Sequence, residues 1–175
     1  MKNKIVAGSV AVCVAAAALL YASPYIALRS IAKAIERKDA DAVSEYVDFP
    51  ALRENIKGHM LVKVQEQMQS PQMQGNPFAG LGQVMAVGIV NQLTESLVSP
   101  VGVMLMLENG KPGKPADVAA AGVGVDTQGG TPKKDLAVDY QGWSKVFVHP
   151  KNQPGGFIFK REGLLGWKLV AVKMD

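Results

Sequence analysis

The sequence predicts an α+β domain carried behind an N-terminal transmembrane helix. Three observations predict it. Ile5 to Ala22 is an apolar run without a charge, residues 25 to about 109 carry apolar stripes of helical spacing, and Leu136 onward alternates with a period of two. Helices followed by strands place the helices on a C-terminal antiparallel β-meander, a layout compatible with a cone-shaped, curled sheet. The chain divides into an anchor over residues 1–22 and a single domain over 23–175, with loops near 70–82 and 108–134.

The anchor comes first. At the helical rise, residues 5–22 span roughly 27 Å, against a hydrocarbon core of roughly 30 Å. That length fits a spanning helix or a long signal-peptide core. A signal peptide needs small residues at its cut, and the best candidate, Leu20-Tyr21-Ala22, puts a leucine three places before it. Pro24 crowds the same junction. Cys13 follows Val12 where a lipid-modified cysteine wants a small neighbour. The run therefore reads as an uncleaved signal anchor. Lys2 and Lys4 favour a cytoplasmic N-terminus, whereas Arg29, Lys33, Arg37 and Lys38 count on the other side. Long domains translocate largely regardless of charge, so the C-terminal part is expected outside the cytosol.

Composition narrows the chemistry. Removing Lys2 and Lys4 from the formal net charge of +4 leaves +2 on the remainder. No Lys/Arg block is interleaved with aromatics, so no nucleic-acid partner is expected. The single cysteine, Cys13, lies in the anchor. The rest of the chain has no thiolate for a metal site, a disulfide or a nucleophile.

Ser23-Pro24 predicts a helix start, with serine as cap and proline in the first turn. That helix runs to about Arg37, with Leu28, Ile31 and Ile35 on one face. Asp39 caps a short helix over Ala40 to Tyr46, and Asp39 and Asp41 stabilise its positive end. Asp48 and Pro50 open a longer helix with Leu52, Ile56, Met60, Val64 and Met68 at spacings of four. Ser70 to Gly82, rich in Gln, Gly and Pro, predicts a mobile connection. A further helix follows from about Leu81 to Val98, with Met85, Ile89, Leu93 and Leu97 on its stripe. Ser99-Pro100 starts a short helix ending near Asn109-Gly110. Glu108 to Lys134 has no period and reads as a flexible excursion, the alternative being a strand or short helix over Val118 to Val125. Strands are expected at Leu136–Tyr140, Trp143–Val148, Phe157–Arg161 and Trp167–Lys173, with turns at His149–Gly156 and Glu162–Gly166. Phe157, Phe159, Trp167 and Leu169 are the expected core positions.

Two stretches resemble a known family. Ala34-Ile35-Glu36-Arg37-Lys38-Asp39-Ala40-Asp41-Ala42-Val43, followed by Tyr46-Val47-Asp48-Phe49-Pro50-Ala51-Leu52-Arg53, resembles the start of the bacterial domain of unknown function 2939. Phe159-Lys160-Arg161-Glu162-Gly163-Leu164, then Trp167-Lys168-Leu169-Val170, is similar to its close. The resemblance implies a bacterial membrane-anchored or exported protein with no assigned activity; with the anchor and orientation read above, the expectation is a single-pass protein of the inner membrane with its domain in the periplasm. The resemblance carries no catalytic residues. The layout also resembles the nuclear-transport-factor-2-like superfamily, which implies a cone enclosing a pocket.

No motif assembles a reaction, so no catalytic, cofactor-binding or metal-binding residues are expected. His59 and His149 have no sequence-near partners at metal-ligand spacing and read as structural histidines. Ser144 lacks the G-x-S-x-G frame. Gly110-Lys111-Pro112-Gly113-Lys114 is followed by Pro115 where a phosphate loop needs Ser or Thr. Gly122-Val123-Gly124 lacks the third glycine of a dinucleotide fingerprint. His59, Met60, Met68 and Met73 offer soft ligands for copper, but Met60 and Met68 read as core filling. The expected function is a non-enzymatic binding or interaction module for a protein, peptide or small apolar ligand. The alternative is a small enzyme using Asp139 or Glu162 as a buried acid or base in a cone-shaped pocket. A filled core with an exposed apolar patch favours the first, and a deep cavity with a buried carboxylate the second.

Overall fold

The N-terminal fifth of the chain is one helix where the sequence predicted a break. In the computed structural model, which describes residues 2–69, 79–109, 136–151 and 155–174, α1 runs from Lys2 to Glu36 with Pro24 inside it. Ser23-Pro24 is therefore not a helix start: Ser23 is buried mid-helix and its hydroxyl turns back to the Leu20 carbonyl at 2.8 Å. The local serine-proline signal is overridden because the turns on both sides are strongly helical. Residues 10–19 of α1 are solvent-exposed and mostly apolar, with Val12 69% and Val14 63% exposed. The second half buries Ala27, Ile31, Ala34 and Ile35. Among the described residues, α1 is the one helix long and apolar enough to cross a membrane unaided.

The end of α1 is a Schellman turn. Lys38 takes a positive φ of 54°, Asp39 N–H donates to Ala34 O at 3.0 Å and Lys38 N–H to Ile35 O at 2.9 Å. The Lys38 ammonium then pairs with Glu108 at 2.8 Å, tying this corner to α5. Asp39 caps α2 (Ala40–Ser44), its carboxylate accepting from Ala42 N–H. Asp48 caps α3 (Phe49–Met68) through Ala51 N–H, with Pro50 in the first turn. Both caps match the sequence reading, although α2 stops two residues early.

The stripe of α3 turns away from the core. Leu52 and Ile56 are fully buried, while Met60 and Val64 are half-buried. Steps of four residues advance about 400°, so an apolar row at that spacing drifts round the helix. α4 (Ala79–Leu97) begins inside the expected connection and buries Val90, Thr94 and Leu97. Of the expected stripe, Leu97 is buried and Leu93 half-buried, whereas Met85 and Ile89 are 64% and 55% exposed. Thr94 breaks the apolar pattern, yet its hydroxyl is satisfied by Val90 O at 2.7 Å. α5 (Pro100–Asn109) starts as predicted, with Ser99 Oγ accepting from Gly102 N–H. It leaves α4 at 78°. Gly102 permits that angle, because a Cβ there would lie 2.5 Å from Ser96 O. Most of the Glu108–Lys134 excursion and the segment 70–78 lie outside the described residues.

The strands are β1 (Leu136–Gly142), β2 (Lys145–Pro150), β3 (Gly156–Glu162) and β4 (Gly166–Lys173), paired in the order β1-β2-β3-β4, all antiparallel. Trp143 lies in the β1–β2 turn rather than in β2, and β2 extends through His149 to Pro150. Alternation then puts Val146, Val148, Phe157, Phe159, Trp167, Leu169 and Val172 on one face, all buried. The step from Leu169 to Val172 is three because β4 bulges opposite Ile158/Phe159. Val172 N–H is taken up by the Asn55 side chain at 2.8 Å. The helices cover this face in a single cluster that joins Leu52, Ile56, Val103 and Met106 to the sheet. The edge of β4 is closed in part by Tyr46–Asp48: Leu169 N–H donates to Tyr46 O and Asp48 N–H to Leu169 O, a parallel bridge. The fold is α+β, as predicted.

Candidate functional site

The site most unlike ordinary packing lies where α1 leaves its exposed half and enters the core. Proline at position 24 removes the N–H that would reach the Leu20 carbonyl. Two groups replace it: Ser23 Oγ at 2.8 Å and the Arg161 guanidinium at 3.0 Å. Ser23 Oγ in turn accepts the Trp167 indole N–H at 2.8 Å. The next carbonyl, Tyr21 O, accepts the Tyr140 hydroxyl, and the two tyrosine rings stack at 5.0 Å with their planes 8° apart. The proline opening in α1 is thus filled by β1, β3 and β4 together.

Arg161 is the centre of this arrangement. Its second guanidinium nitrogen donates to Leu164 O at 2.8 Å, so one side chain bridges the β3–β4 turn and α1. The Trp143 and Trp167 rings each lie 4.7 Å from its guanidinium carbon. Burial pushes the Tyr140 phenol above its ordinary value; Tyr25 and Tyr21 add to the rise and Arg161 opposes it.

Beside this clasp runs an open groove of about 340 Å³. α1 supplies Leu19, Ser23, Ile26, Ala27 and Ser30 as one wall. Tyr46, Leu165, Gly166 and Trp167 complete the lining. The lining is mostly apolar and holds no carboxylate, imidazole, amine or thiol. The Ser23 hydroxyl is committed on both sides, leaving Ser30 and Tyr46 as the polar points facing the groove.

The residues weighed from sequence lie elsewhere. Asp139 and Glu162 are surface carboxylates, 65% and 69% exposed, paired with His149 at 3.0 Å and Lys168 at 3.7 Å. His149 also stacks on Phe147 on the outer face of the sheet. The fold thus brings Asp139 to His149, a pairing that sequence distance hid, but Ser144 sits at the turn beyond it. His59 is half-buried on α3. Met60 Sδ lies 3.8 Å from Thr94 Oγ1, and Met73 and both glycine-rich stretches lie outside the described residues. Among the described residues no group of three His, Cys, Asp or Glu converges as a metal site. Cys13 is exposed on the apolar half of α1.

Sequence reasoning missed Ser23, Tyr140 and Arg161 as a unit. The available signal was a proline inside an otherwise helical pattern, and one arginine followed closely by a tryptophan on the next strand.

The family model described as protein of unknown function DUF2939 matches residues 13–106, more than half of the 175-residue chain. The chain belongs to the DUF2939 family. No curated protein and no solved structure matches it. The DUF2939 match runs from the exposed half of α1 to α5 and includes the whole front motif. In the structure that motif is the α1–α2–α3 corner: buried Ala34 and Ile35, the left-handed Lys38, the caps Asp39 and Asp48, the Tyr46–Asp48 bridge to β4, and Leu52. The closing motif on β3 and β4 lies beyond the matched residues.

Proposed function

We propose that this DUF2939 protein is a binding module without chemistry of its own, held by α1 in a bacterial inner membrane with its domain in the periplasm. Its ligand is a small, elongated apolar molecule, such as an acyl chain, seated in the groove along α1. The observation that carries this reading is the groove itself. Its α1 lining continues into the exposed apolar residues of the same helix, an indole lines it, and it holds no carboxylate, imidazole, amine or thiol, Tyr46 being its one ionisable side chain. The core behind it is filled by Trp167, Phe159, Leu52, Ile56 and Met106. Asp139 and Glu162, the acids an enzyme of this layout would use, stand in solvent.

A photoactivatable palmitic acid tests this. With the full chain in phospholipid vesicles, diazirine labelling is expected on Ile26, Ser30 and Leu165. Ser30→Trp, which fills the groove from a half-buried position, should remove that labelling. Labelling confined to Val10–Val14, or unchanged by Ser30→Trp, would reject the groove as the binding site.

A further inference from the structure

The two turns at one end of the sheet expose apolar side chains that the core does not use. Trp143 in the β1–β2 turn is 69% exposed; Leu164 and Leu165 in the β3–β4 turn are 77% and 55% exposed. Trp143, Leu164 and Leu20 are tied to one guanidinium: Arg161 lies against the Trp143 ring and donates to Leu164 O and Leu20 O. Those turns are therefore level with Leu20 of α1. Leu20 stands two residues before the end of the apolar run, and the run of roughly 27 Å has no length to spare across a hydrocarbon core of roughly 30 Å. A helix that spans a bilayer with this run places Leu20 at the boundary between hydrocarbon and headgroups.

One layer behind the turns, on the outer face, Lys145, Lys160 and Lys168 lie directly opposite one another across three strands. Like charges in register repel. Glu162 reaches only Lys168, and among the described residues no ion pair reaches Lys145 or Lys160. Apolar tips backed by a row of cations, beside an interfacial pair such as Tyr21 and Tyr140, are the elements of a surface that rests in headgroups.

We infer that the turn end of the sheet docks on the bilayer that holds α1: Trp143, Leu164 and Leu165 enter the headgroup layer, and Lys145, Lys160 and Lys168 meet lipid phosphates. The domain then touches its membrane twice, through α1 and through these turns. This holds for either orientation of α1 and does not depend on the groove having a ligand.

Nitroxide depth measurement tests it on the full chain. In a Cys13→Ala background, Leu164→Cys and Lys151→Cys each carry one label, the second at the opposite end of the sheet. The chain is placed in phosphatidylcholine vesicles with and without phosphatidylglycerol. The label at 164 is expected to collide with oxygen and be shielded from a water-soluble nickel chelate, by a factor of several relative to 151. In vesicles with phosphatidylglycerol, Lys145→Gln with Lys160→Gln should raise nickel access at 164, and in phosphatidylcholine alone it should not. Equal nickel access at 164 and 151 would overturn the docking. So would a label at 164 shielded from both reagents, since that marks a protein neighbour. Nickel access at 164 that ignores the lysine substitutions in both lipids would overturn the role of the lysine row.

Discussion

Arg161 holds together groups that are far apart in sequence, and its loss should be felt twice. Its guanidinium closes the Leu20 carbonyl left open by Pro24 and fixes the β3–β4 turn through Leu164 O. Arg161→Ala leaves a half-buried carbonyl with only Ser23 and separates Trp143 from its neighbour, at a cost of about 2 kcal/mol. Arg161→Lys keeps the charge but loses the planar fork, and should fall between the two. Urea unfolding followed by near-ultraviolet dichroism of the tryptophans checks the order. Tyr140 supplies the pH dependence of the same junction. Its phenol is raised in the folded state, first by burial, so folding favours the protonated form. That contribution is complete below the ordinary tyrosine value of about 10 and is lost as pH rises through the higher folded value. A phenolate also has no proton to give Tyr21 O. Stability is thus expected to drop at alkaline pH, with a smaller drop in Tyr140→Phe; identical alkaline profiles for the two proteins would refute the assignment.

At the scale of elements, α3 divides into a docked and an undocked half. Leu52 and Ile56 are completely buried against the sheet, whereas Val62 is 55% exposed. Leu52→Ala should cost about 2–5 kcal/mol, and Val62→Ala should stay within about 0.5 kcal/mol. Thermal unfolding of the two variants in detergent separates them. The same helix shows what was legible beforehand. Asp39, Asp48 and Ser99 announce helix starts because a capping side chain acts within three residues of itself, and all three cap as read. The β-meander was legible because Phe157, Phe159, Trp167 and Leu169 alternate, although Trp143 slipped from strand to turn. The stripe of α4 was not legible. Met85, Ile89, Leu93 and Leu97 look like a core row, yet of these only Leu97 is buried, the rest of the buried face runs through Val90 and Thr94, and a threonine satisfied by its own helix carries no hydrophobic signal. Ser23-Pro24 misled for a related reason. The partners that make a mid-helix proline acceptable, Arg161 and Trp167, sit about 140 residues away, and no local pattern reports them.

For the molecule as a whole, the candidate site was almost invisible in the sequence because it is made at a meeting of three strands and one helix, each contributing one or two ordinary side chains. What the sequence did report was the uncharged run at residues 5–22, part of a helix long and apolar enough to cross a membrane. The two facts combine in the continuity of that helix, 35 residues without an interruption from its first charged turn to the Schellman corner. In a lipid nanodisc the globule should therefore tumble with the disc, giving one slow correlation time by amide relaxation; a second, faster time for the β-strands would contradict a continuous α1. The clasp around Pro24 has a mechanical sequel. A domain on a supple leash samples many headings, but one whose stem is stapled to its own sheet has a single azimuth. In the proposed membrane setting, a torque applied to the stem turns the sheet with it, like a key turned in a lock.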